Sequence, residues 1–212
     1  MTMKIKTLPC GPLSVNTYIV SDTAPECLVI DPGADVPVTR YLEANGLSCA
    51  AILVTHGHFD HIGGVPGLLK RYPGCPVYIH PDDAPMLSDP RACLASYFGR
   101  SFEPVSDFRE LNEGAASAAG FSFEVLHTPG QSPGSVSFLF APSGILFSGD
   151  TVFQCSVGRS DLPGGDEITL LRSVHRLLDA VPDGTVIYPG HGPETDKAYE
   201  QTHNPYYLYY SP

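Results

Sequence analysis

A dense group of histidines and aspartate directly follows a buried strand in the first third of the chain. The run Ala50-Ala51-Ile52-Leu53-Val54 is continuously apolar, which is typical of a strand that is covered on both faces. It leads into Thr-His-Gly-His-Phe-Asp-His, where four residues of metal-ligand type occur within six positions: His56, His58, Asp60 and His61. The first two can point in one direction from an extended segment, whereas the next two lie on the following turn. The spacing therefore predicts ligands for two adjacent metal ions.

Three further residues of ligand type follow predicted strands in the second half of the chain, namely His127, Asp150 and His191. Ligands of open α/β sheets bind at the carboxyl ends of the strands. Imidazole and carboxylate suit zinc, manganese or iron(II), and an ion with an open position converts bound water to hydroxide near neutral pH. A solvated histidine-rich turn is the alternative, but the adjacent buried strand and the additional partners favour a metal site.

The alternation of strands and helices predicts one α/β domain over residues 1–212, built from two similar halves. In the first half we predict strands at 17–20 and 27–30 as a hairpin, a helix at 38–45, a strand at 50–54, a helix at 62–72, a strand at 77–79 and a short helix at 82–87. In the second half we predict strands at 121–126, 136–140, 145–147 and 185–188, and a helix at 167–179. Poor periodicity over Asp89–Leu111 predicts a surface loop or broken helix, which we expect to cover a substrate groove.

Composition makes several classes of function unfavourable. The formal charge of −11, from 12 basic and 23 acidic residues, disfavours binding to nucleic acid or anionic lipid. We expect no membrane span and no signal peptide, because neither apolar pattern occurs, and hence a cytoplasmic protein. The six cysteines form no Cys-x-x-Cys pair, so we expect reduced thiols rather than a disulfide framework or a zinc ribbon.

Three motifs give the chain a specific family resemblance. Thr-His-Gly-His-Phe-Asp-His-Ile-Gly-Gly from Thr55, Ser-Gly-Asp-Thr from Ser148 and Tyr-Pro-Gly-His-Gly from Tyr188 resemble those of the metallo-β-lactamase superfamily. The segments 16–18, 30–35 and 158–166 further resemble short, single-domain glyoxalase II-like hydrolases. The resemblance implies a four-layer αββα sandwich with a metal centre at the edge where the two sheets meet.

The resemblance also implies a ligand set for two ions. The first ion would be bound by His56, His58 and the last residue of a His-Thr-Pro-Gly-His motif, the second by Asp60, His61 and His191, and Asp150 would bridge the two. In this chain Gln131 occupies the position of that last histidine. A neutral amide is a weaker zinc ligand than imidazole and suits harder ions, so the first site is expected to be weakened, to hold another metal or to be empty. Zinc is the expected cofactor, as one or two ions, with manganese or iron as alternatives.

Two further residues are candidates for supporting roles. Asp31, in an Asp-Pro-Gly turn after a strand, is expected to hold the metal-binding loop by hydrogen bonds, with a plain turn as the alternative. Arg159 would either bind an anionic group of the substrate or pair with Asp161. The histidines outside the motifs are expected to be surface or capping residues: His80, His175 and His203.

These residues predict a metal-dependent hydrolase of a small acyl substrate, most plausibly a thioester such as a 2-hydroxyacyl thiol ester. Asp60 would hold one ion and help to orient the attacking hydroxide. Full-length glyoxalase II enzymes carry a C-terminal helical domain that helps to bind glutathione, and we expect no such domain here. The sequence therefore does not specify the thiol part of the thioester substrate. The alternatives are a persulfide dioxygenase-like iron enzyme, a lactonase, a phosphodiesterase, or a metal-binding or sensing protein without turnover. A homo-oligomer is also an open alternative.

Overall fold

The computed structural model describes residues 3–210, which form two compact units. Within these residues, the first unit extends to Leu111 and includes Ser117–Phe121, and the second comprises Asn112–Ala116 and continues from Ser122. The described residues form two six-stranded sheets and a separate two-stranded one, and helices connect the strands. This architecture confirms the predicted α/β class. The grouping of residues 1–212 into one domain stays a prediction.

The first sheet places three strand ends at one edge. Its strands, in spatial order, are β1 (Lys4–Cys10), β2 (Val15–Ser21), β3 (Glu26–Ile30), β4 (Ser48–Leu53), β5 (Val77–Ile79) and β6 (Arg109–Glu110). The helices of this unit are α1 (Asp35–Ala44), α2 (Phe59–Ile62), α3 (Val65–Arg71) and a 3-10 helix at Pro81–Leu87. Neighbouring strands are antiparallel from β1 to β3 and parallel from β3 to β6. The carboxyl ends of β3, β4 and β5 therefore lie at the same edge.

The second sheet has the spatial order β14-β13-β10-β9-β8-β7. These strands are β7 (Gly114–Ala118), β8 (Phe121–His127), β9 (Val136–Phe140), β10 (Ile145–Gly149), β13 (Val186–Pro189) and β14 (Thr195–Asp196). A short hairpin of β11 (Val152–Phe153) and β12 (Ser156–Val157) stands apart, and the helices are α4 (Glu167–Ala180), α5 (Lys197–His203), α6 (Pro205–Leu208) and a 3-10 helix at Ala141–Ser143. Because β10 and β13 are parallel neighbours, the residues that follow them emerge side by side.

The core of the second unit explains why the pattern at 167–179 predicts its helix correctly. Asp166 caps α4 by accepting a hydrogen bond from the backbone N–H of Thr169 at 2.7 Å. The apolar side of α4 packs into one cluster with strands of the sheet, with the buried members Leu139, Leu146, Val152, Leu170, Val174, Leu177, Leu178, Val181 and Ile187. The helical spacing of the leucines within α4 therefore indicates which side of this helix is buried.

The predicted helix at 62–72 is wrong in its continuity, because the chain forms α2 and α3 with a break between them. The backbone of the preceding turn causes the break. A Cβ atom on Gly64 would lie 2.7 Å from the carbonyl oxygen of Pro32, and Gly64 N–H donates to that oxygen at 2.6 Å. Glycine thus permits the turn after β3 to lie directly against the start of α3.

Several elements have no clear sequence signal. The strand β1 contains Pro9 and alternating exposed lysines, a pattern tolerated at the edge of a sheet, and β7 consists of glycine, alanine and serine. The helix α5 is polar and short. His80, expected at the surface or in a cap, is buried and caps the 3-10 helix at Pro81–Leu87 by accepting from Asp82 N–H at 3.3 Å. The prediction of a surface or capping residue is thus confirmed for His80 by its capping role.

All six cysteines are free thiols in the structure. None of the helices within residues 3–210 combines the length and the hydropathy that a membrane-spanning helix requires.

A buried carboxylate joins the C-terminal elements of the second unit. Glu200, in α5, is fully buried and accepts hydrogen bonds from Thr195 Oγ1 at 2.6 Å, Cys155 N–H at 2.9 Å and Asn204 Nδ2 at 2.8 Å. These donors come from β14, from the turn between β11 and β12, and from the end of α5. One side chain thus fixes three separate segments.

Removing this carboxylate takes the acceptor from the Thr195 hydroxyl and from Cys155 N–H, and one of several acceptors from Asn204 Nδ2. We expect Glu200→Ala to lower the free energy of unfolding by about 3 kcal/mol, measured by urea denaturation. The matched control is Glu194→Ala, which removes an exposed carboxylate and should change the free energy by less than about 0.5 kcal/mol. Equal effects of the two substitutions would contradict this account of Glu200.

Candidate metal centre

The ligand-type residues of the first unit lie in the loop after β4 and in α2. All four are buried, with exposed fractions of 1% for His56, 3% for His58, 5% for Asp60 and 0% for His61. The ring of His56 lies 4.7 Å from that of His58 and 4.0 Å from that of His61, between centroids. His61 Nε2 lies 3.7 Å from Asp60 Oδ2. Three imidazoles and a carboxylate are therefore concentrated in the interior.

This concentration matches the chemistry of a divalent metal site. Burying polar side chains is unfavourable unless they gain strong interactions, and a metal ion supplies such interactions to imidazole and carboxylate. The donor types are those that bind zinc, iron(II) and manganese. The residues present in the first unit thus fit a metal ion.

Asp31 connects the end of β3 to the ligand-type residues. Its Oδ1 accepts from Thr55 N–H at 2.7 Å, and its Oδ2 accepts from Thr55 Oγ1 at 2.6 Å and lies 2.9 Å from His61 Nδ1. Thr55 Oγ1 also lies 3.1 Å from His56 Nδ1. A carboxylate at Nδ1 fixes both the tautomer and the orientation of a histidine ring, so that Nε2 becomes the ligand nitrogen.

The backbone around Asp31 has an unusual conformation that nearby groups maintain. Asp31 has φ of 48°, in the left-handed region that non-glycine residues rarely adopt. Thr17 Oγ1 donates to the carbonyl oxygen of Asp31 at 2.7 Å and accepts from Gly33 N–H at 3.1 Å. These bonds hold the turn with the Asp31 carboxylate directed toward Thr55 and His61.

A second carboxylate, which the sequence analysis missed, supports the same loop from β5. Asp83 is fully buried in the 3-10 helix that follows this strand, and its Oδ2 accepts from Gly57 N–H at 2.9 Å. Gly57 separates the two histidines of the His-x-His pair. The available signal was the position of Asp83 soon after a predicted strand, at the same sheet edge as the loop that carries His56 and His58.

The second unit contributes its own group of candidate ligands. Asp150 follows β10 and His191 follows β13, and His191 Nε2 lies 3.8 Å from Asp150 Oδ2. Gly190 N–H donates to the carbonyl oxygen of Gly149 at 2.7 Å, which joins the two strand ends. The parallel pairing of β10 and β13 therefore brings the imidazole and the carboxylate close together.

Gln131 contacts Asp150 through its amide nitrogen. Gln131 is 3% exposed, and its Nε2 donates to Asp150 Oδ2 at 2.7 Å. An amide oxygen at this distance from a carboxylate oxygen would be repelled, so the nitrogen is the atom that faces Asp150. A Cβ atom on Gly158 would lie 2.0 Å from the backbone carbonyl oxygen of Asp150 and 1.9 Å from Gln131 Oε1, and the backbone contact explains the glycine at that position. In this structure the amide orients the carboxylate.

The remaining candidates lie in different surroundings. Arg159 is exposed and donates to both carboxylate oxygens of Asp161, at 2.8 and 2.9 Å, which is the pairing that the sequence left as one alternative. His127 ends β8, and its Nε2 lies 2.9 Å from the carbonyl oxygen of Pro133.

The segment 89–111 is mostly irregular, and it supplies Cys93 O as the acceptor for Phe59 N–H at 2.9 Å.

Part of that segment lines a cavity beside α2. The cavity has a volume of about 350 Å³, and its walls include Phe59, Ile62, Phe102, Glu103 and Val105. Phe59 and Ile62 are three positions apart and share one side of α2, whereas Asp60 and His61 lie between them in sequence. The proximity of segment 89–111 to α2 agrees with the expected groove cover, which stays a prediction.

Comparisons with known proteins place the chain in a family. Residues 10–191 match the model of the Metallo-beta-lactamase superfamily. The solved structure of BLEG-1 B3 metallo-beta-lactamase is similar with a TM-score of 0.90 and 39% identity, over 96% of this chain and 99% of that one. TTHA1623, solved in a di-iron-bound form, has a TM-score of 0.85 and 40% identity, over 95% and 99%.

A curated relative from Haemophilus influenzae, the hydroxyacylglutathione hydrolase GloC, is 31% identical over 209 residues, which span 96% of this chain and 98% of the relative. The structural matches confirm the predicted fold class, with two β-sheets flanked by helices. Since the family model covers most of the chain and these proteins match nearly its whole length, the chain belongs to the metallo-beta-lactamase superfamily.

Proposed function

We propose that this protein is a metal-dependent hydrolase of small acyl compounds, with thioesters as the principal substrates. The observation that carries the proposal is the buried group of His56, His58, Asp60 and His61, with His61 oriented by Asp31. A carboxylate–histidine pair of this kind is a common support of metal ligands. The family membership supports the same chemistry.

We propose the ligand set that the family resemblance implies. His56, His58 and Gln131 would bind the first ion, Asp60, His61 and His191 the second, and Asp150 both. Zinc suits the imidazole-rich set, while the di-iron form of TTHA1623 makes iron a second candidate. When bound at such residues, a divalent ion lowers the pKa of water and polarises a carbonyl oxygen.

Individual residues of the chain would orient the attacking water, the metal ligands and the substrate. Asp60 would accept a hydrogen bond from the attacking water and so orient it toward the substrate carbonyl. Asp31 and Thr55 would keep the imidazoles of His56 and His61 in place during the reaction. Gln131 would hold Asp150 through the amide nitrogen, and Arg159 would bind an anionic part of the substrate once it leaves Asp161.

The choice of thioesters is supported by a relative of the same length. GloC is called a hydroxyacylglutathione hydrolase, and nearly the whole of that protein matches this chain. BLEG-1, called a metallo-beta-lactamase, gives an alternative in which the attacked carbonyl belongs to an amide. Both reactions begin with attack on an acyl carbonyl. We further propose a cytoplasmic location, which the six free thiols support.

A panel of substrates tests the proposed function. Purified protein with its metal content measured should be assayed with a 2-hydroxyacyl thioester, a β-lactam, a lactone and a phosphodiester, and for oxygen uptake with a persulfide. We expect the highest kcat/KM for the thioester. Preference for another compound would replace the thioester proposal, and no turnover of any compound by metal-loaded protein would favour a binding or sensing role.

Removing the imidazole that follows β13 should affect metal and turnover together. We expect His191→Ala to lose metal from the second site and to reduce thioester kcat/KM by more than about 100-fold, because even supporting residues of metal sites contribute 10–100-fold. Elemental analysis and a thioester assay measure the two effects. The control His203→Ala removes an exposed histidine of α5. Wild-type metal content and turnover in His191→Ala would show that His191 is not a ligand.

Replacing the neutral amide of Gln131 by imidazole should strengthen the first site. We expect Gln131→His to bind zinc more tightly and to approach two equivalents, whereas the wild type holds its first ion less tightly than its second. Titration of metal-free protein with zinc measures both affinities. The control Gln154→His adds a histidine at an exposed position. Equal affinities in wild type and Gln131→His would rule out a weakened site.

The hydrogen bond from Gly57 to Asp83 predicts a graded effect on metal affinity. We expect Asp83→Ala to weaken metal binding about 10-fold, because the loop between the histidines loses its acceptor. Asp83→Asn retains a carbonyl oxygen and should restore most of the affinity. Competition with a chelator measures the affinity, and Asp82→Ala, at an exposed neighbour, is the control. An Asn variant as weak as the Ala variant would contradict the role of this acceptor.

A further inference from the structure

Two cysteine side chains meet in the first unit, at the amino ends of β4 and β5. Cys49 is the second residue of β4, and Cys75 lies two residues before β5 begins. Their Sγ atoms are 3.6 Å apart. Cys49 is 4% exposed, whereas Cys75 is half-buried beside the exposed Gly74. One residue of the pair is thus partly exposed, and its sulfur contacts the sulfur of a residue in the interior.

The contact makes the two thiols chemically different. The hydrogen bond with Cys49 lowers the pKa of the Cys75 thiol, while the same contact and burial raise the pKa of Cys49. Burial raises the pKa of the nearby Cys27 to about 12, and its Sγ donates to the carbonyl oxygen of Ser48. A thiolate is the reactive form of cysteine, so Cys75 is the nucleophile of the pair.

The backbone spacing suits a covalent bond between them. The strands β4 and β5 are parallel neighbours with Ile52 opposite Val77, so the same register continued backwards places Cys75 opposite Ala50, the residue next to Cys49. Neighbouring strands lie about 4.8 Å apart, and disulfides join Cα atoms about 4.4–6.8 Å apart. Closing the sulfur–sulfur distance therefore requires rotation of side chains more than movement of strands.

We propose that Cys75 and Cys49 form a thiol oxidation site whose oxidant is a hydroperoxide. The Cys75 thiolate attacks the peroxide oxygen, the O–O bond breaks, and Cys75 becomes a sulfenic acid as the leaving oxygen takes up a proton. The Cys49 sulfur then attacks the Cys75 sulfur, forming the disulfide and releasing water as Cys49 loses its proton. In sum, two thiols and hydrogen peroxide give one disulfide and two waters.

The bond would enclose the metal-binding loop. The chain from Cys49 to Cys75 contains His56, His58, Asp60 and His61 together with α2 and α3. A cross-link across such a loop restricts the unfolded chain, so the oxidised protein should resist denaturation better than the reduced one. The site lies at the amino ends of the strands, opposite the strand ends that carry the candidate ligands.

The sequence allows the cross-link to be detected directly. Trypsin releases Cys49 in the peptide Tyr41–Lys70 and Cys75 in the peptide Tyr72–Arg91, and each contains a single cysteine. Protein treated with hydrogen peroxide, alkylated and digested without reductant should yield these two peptides joined, with a mass two hydrogens below their sum. Dithiothreitol should separate them. Urea denaturation should show a higher midpoint for the oxidised protein, which dithiothreitol reverses.

Variants separate this pairing from other oxidation products. Cys75→Ser, at a half-buried position, should abolish the joined peptide and the shift of the urea midpoint, and Cys49→Ala should do the same. The control Cys155→Ser removes another half-buried thiol, whose Sγ contacts the Tyr199 hydroxyl, and should leave both effects intact. The proposal is overturned if peroxide gives only Cys75 sulfinic acid, only a disulfide between two chains, or no joined peptide in folded wild-type protein.

Discussion

The carboxylate of Asp31 is the contact on which the arrangement of the first unit depends. It receives the backbone N–H and the hydroxyl of Thr55 at the end of β4 and lies against the imidazole of His61 in α2. The Asp31 side chain thereby holds both Thr55, which directly precedes the ligand-type residues of this unit, and His61, which is the last of them. The left-handed backbone of Asp31 is an unfavourable conformation that the hydrogen bond from Thr17 helps to maintain.

The sequence predicts the backbone of this region well because its signals are local. An apolar run predicts β4, which the structure confirms, whereas the metal-binding role of the ligand-type residues directly after it stays a prediction. The helix α4 is equally clear, since Leu170, Val174 and Leu177 repeat at helical spacing and pack into one cluster. In both cases neighbouring residues in the chain are also neighbours in the structure, so a pattern read along the sequence describes the fold.

Other features depend on partners that are distant in sequence, and a single pattern does not reveal them. Asp83 has no motif, and its importance comes from Gly57, 26 positions earlier. Gln131 departs from the histidine expected at its position, and only the structure shows its amide nitrogen against Asp150. The break between α2 and α3 follows from the approach of the Pro32 backbone, which no helical periodicity encodes. The sequence identifies the functional groups, whereas the contacts that orient them are visible only in the structure.

The central claim is that the buried histidines and aspartates bind metal and that the bound metal supports hydrolysis. The most direct measurement combines elemental analysis with thioester turnover of the wild-type protein, before and after complete removal of metal by a chelator and then at stepwise additions of zinc. The account predicts no turnover without metal and a rise with each equivalent until the sites are filled. Full turnover by protein that holds no metal would contradict it.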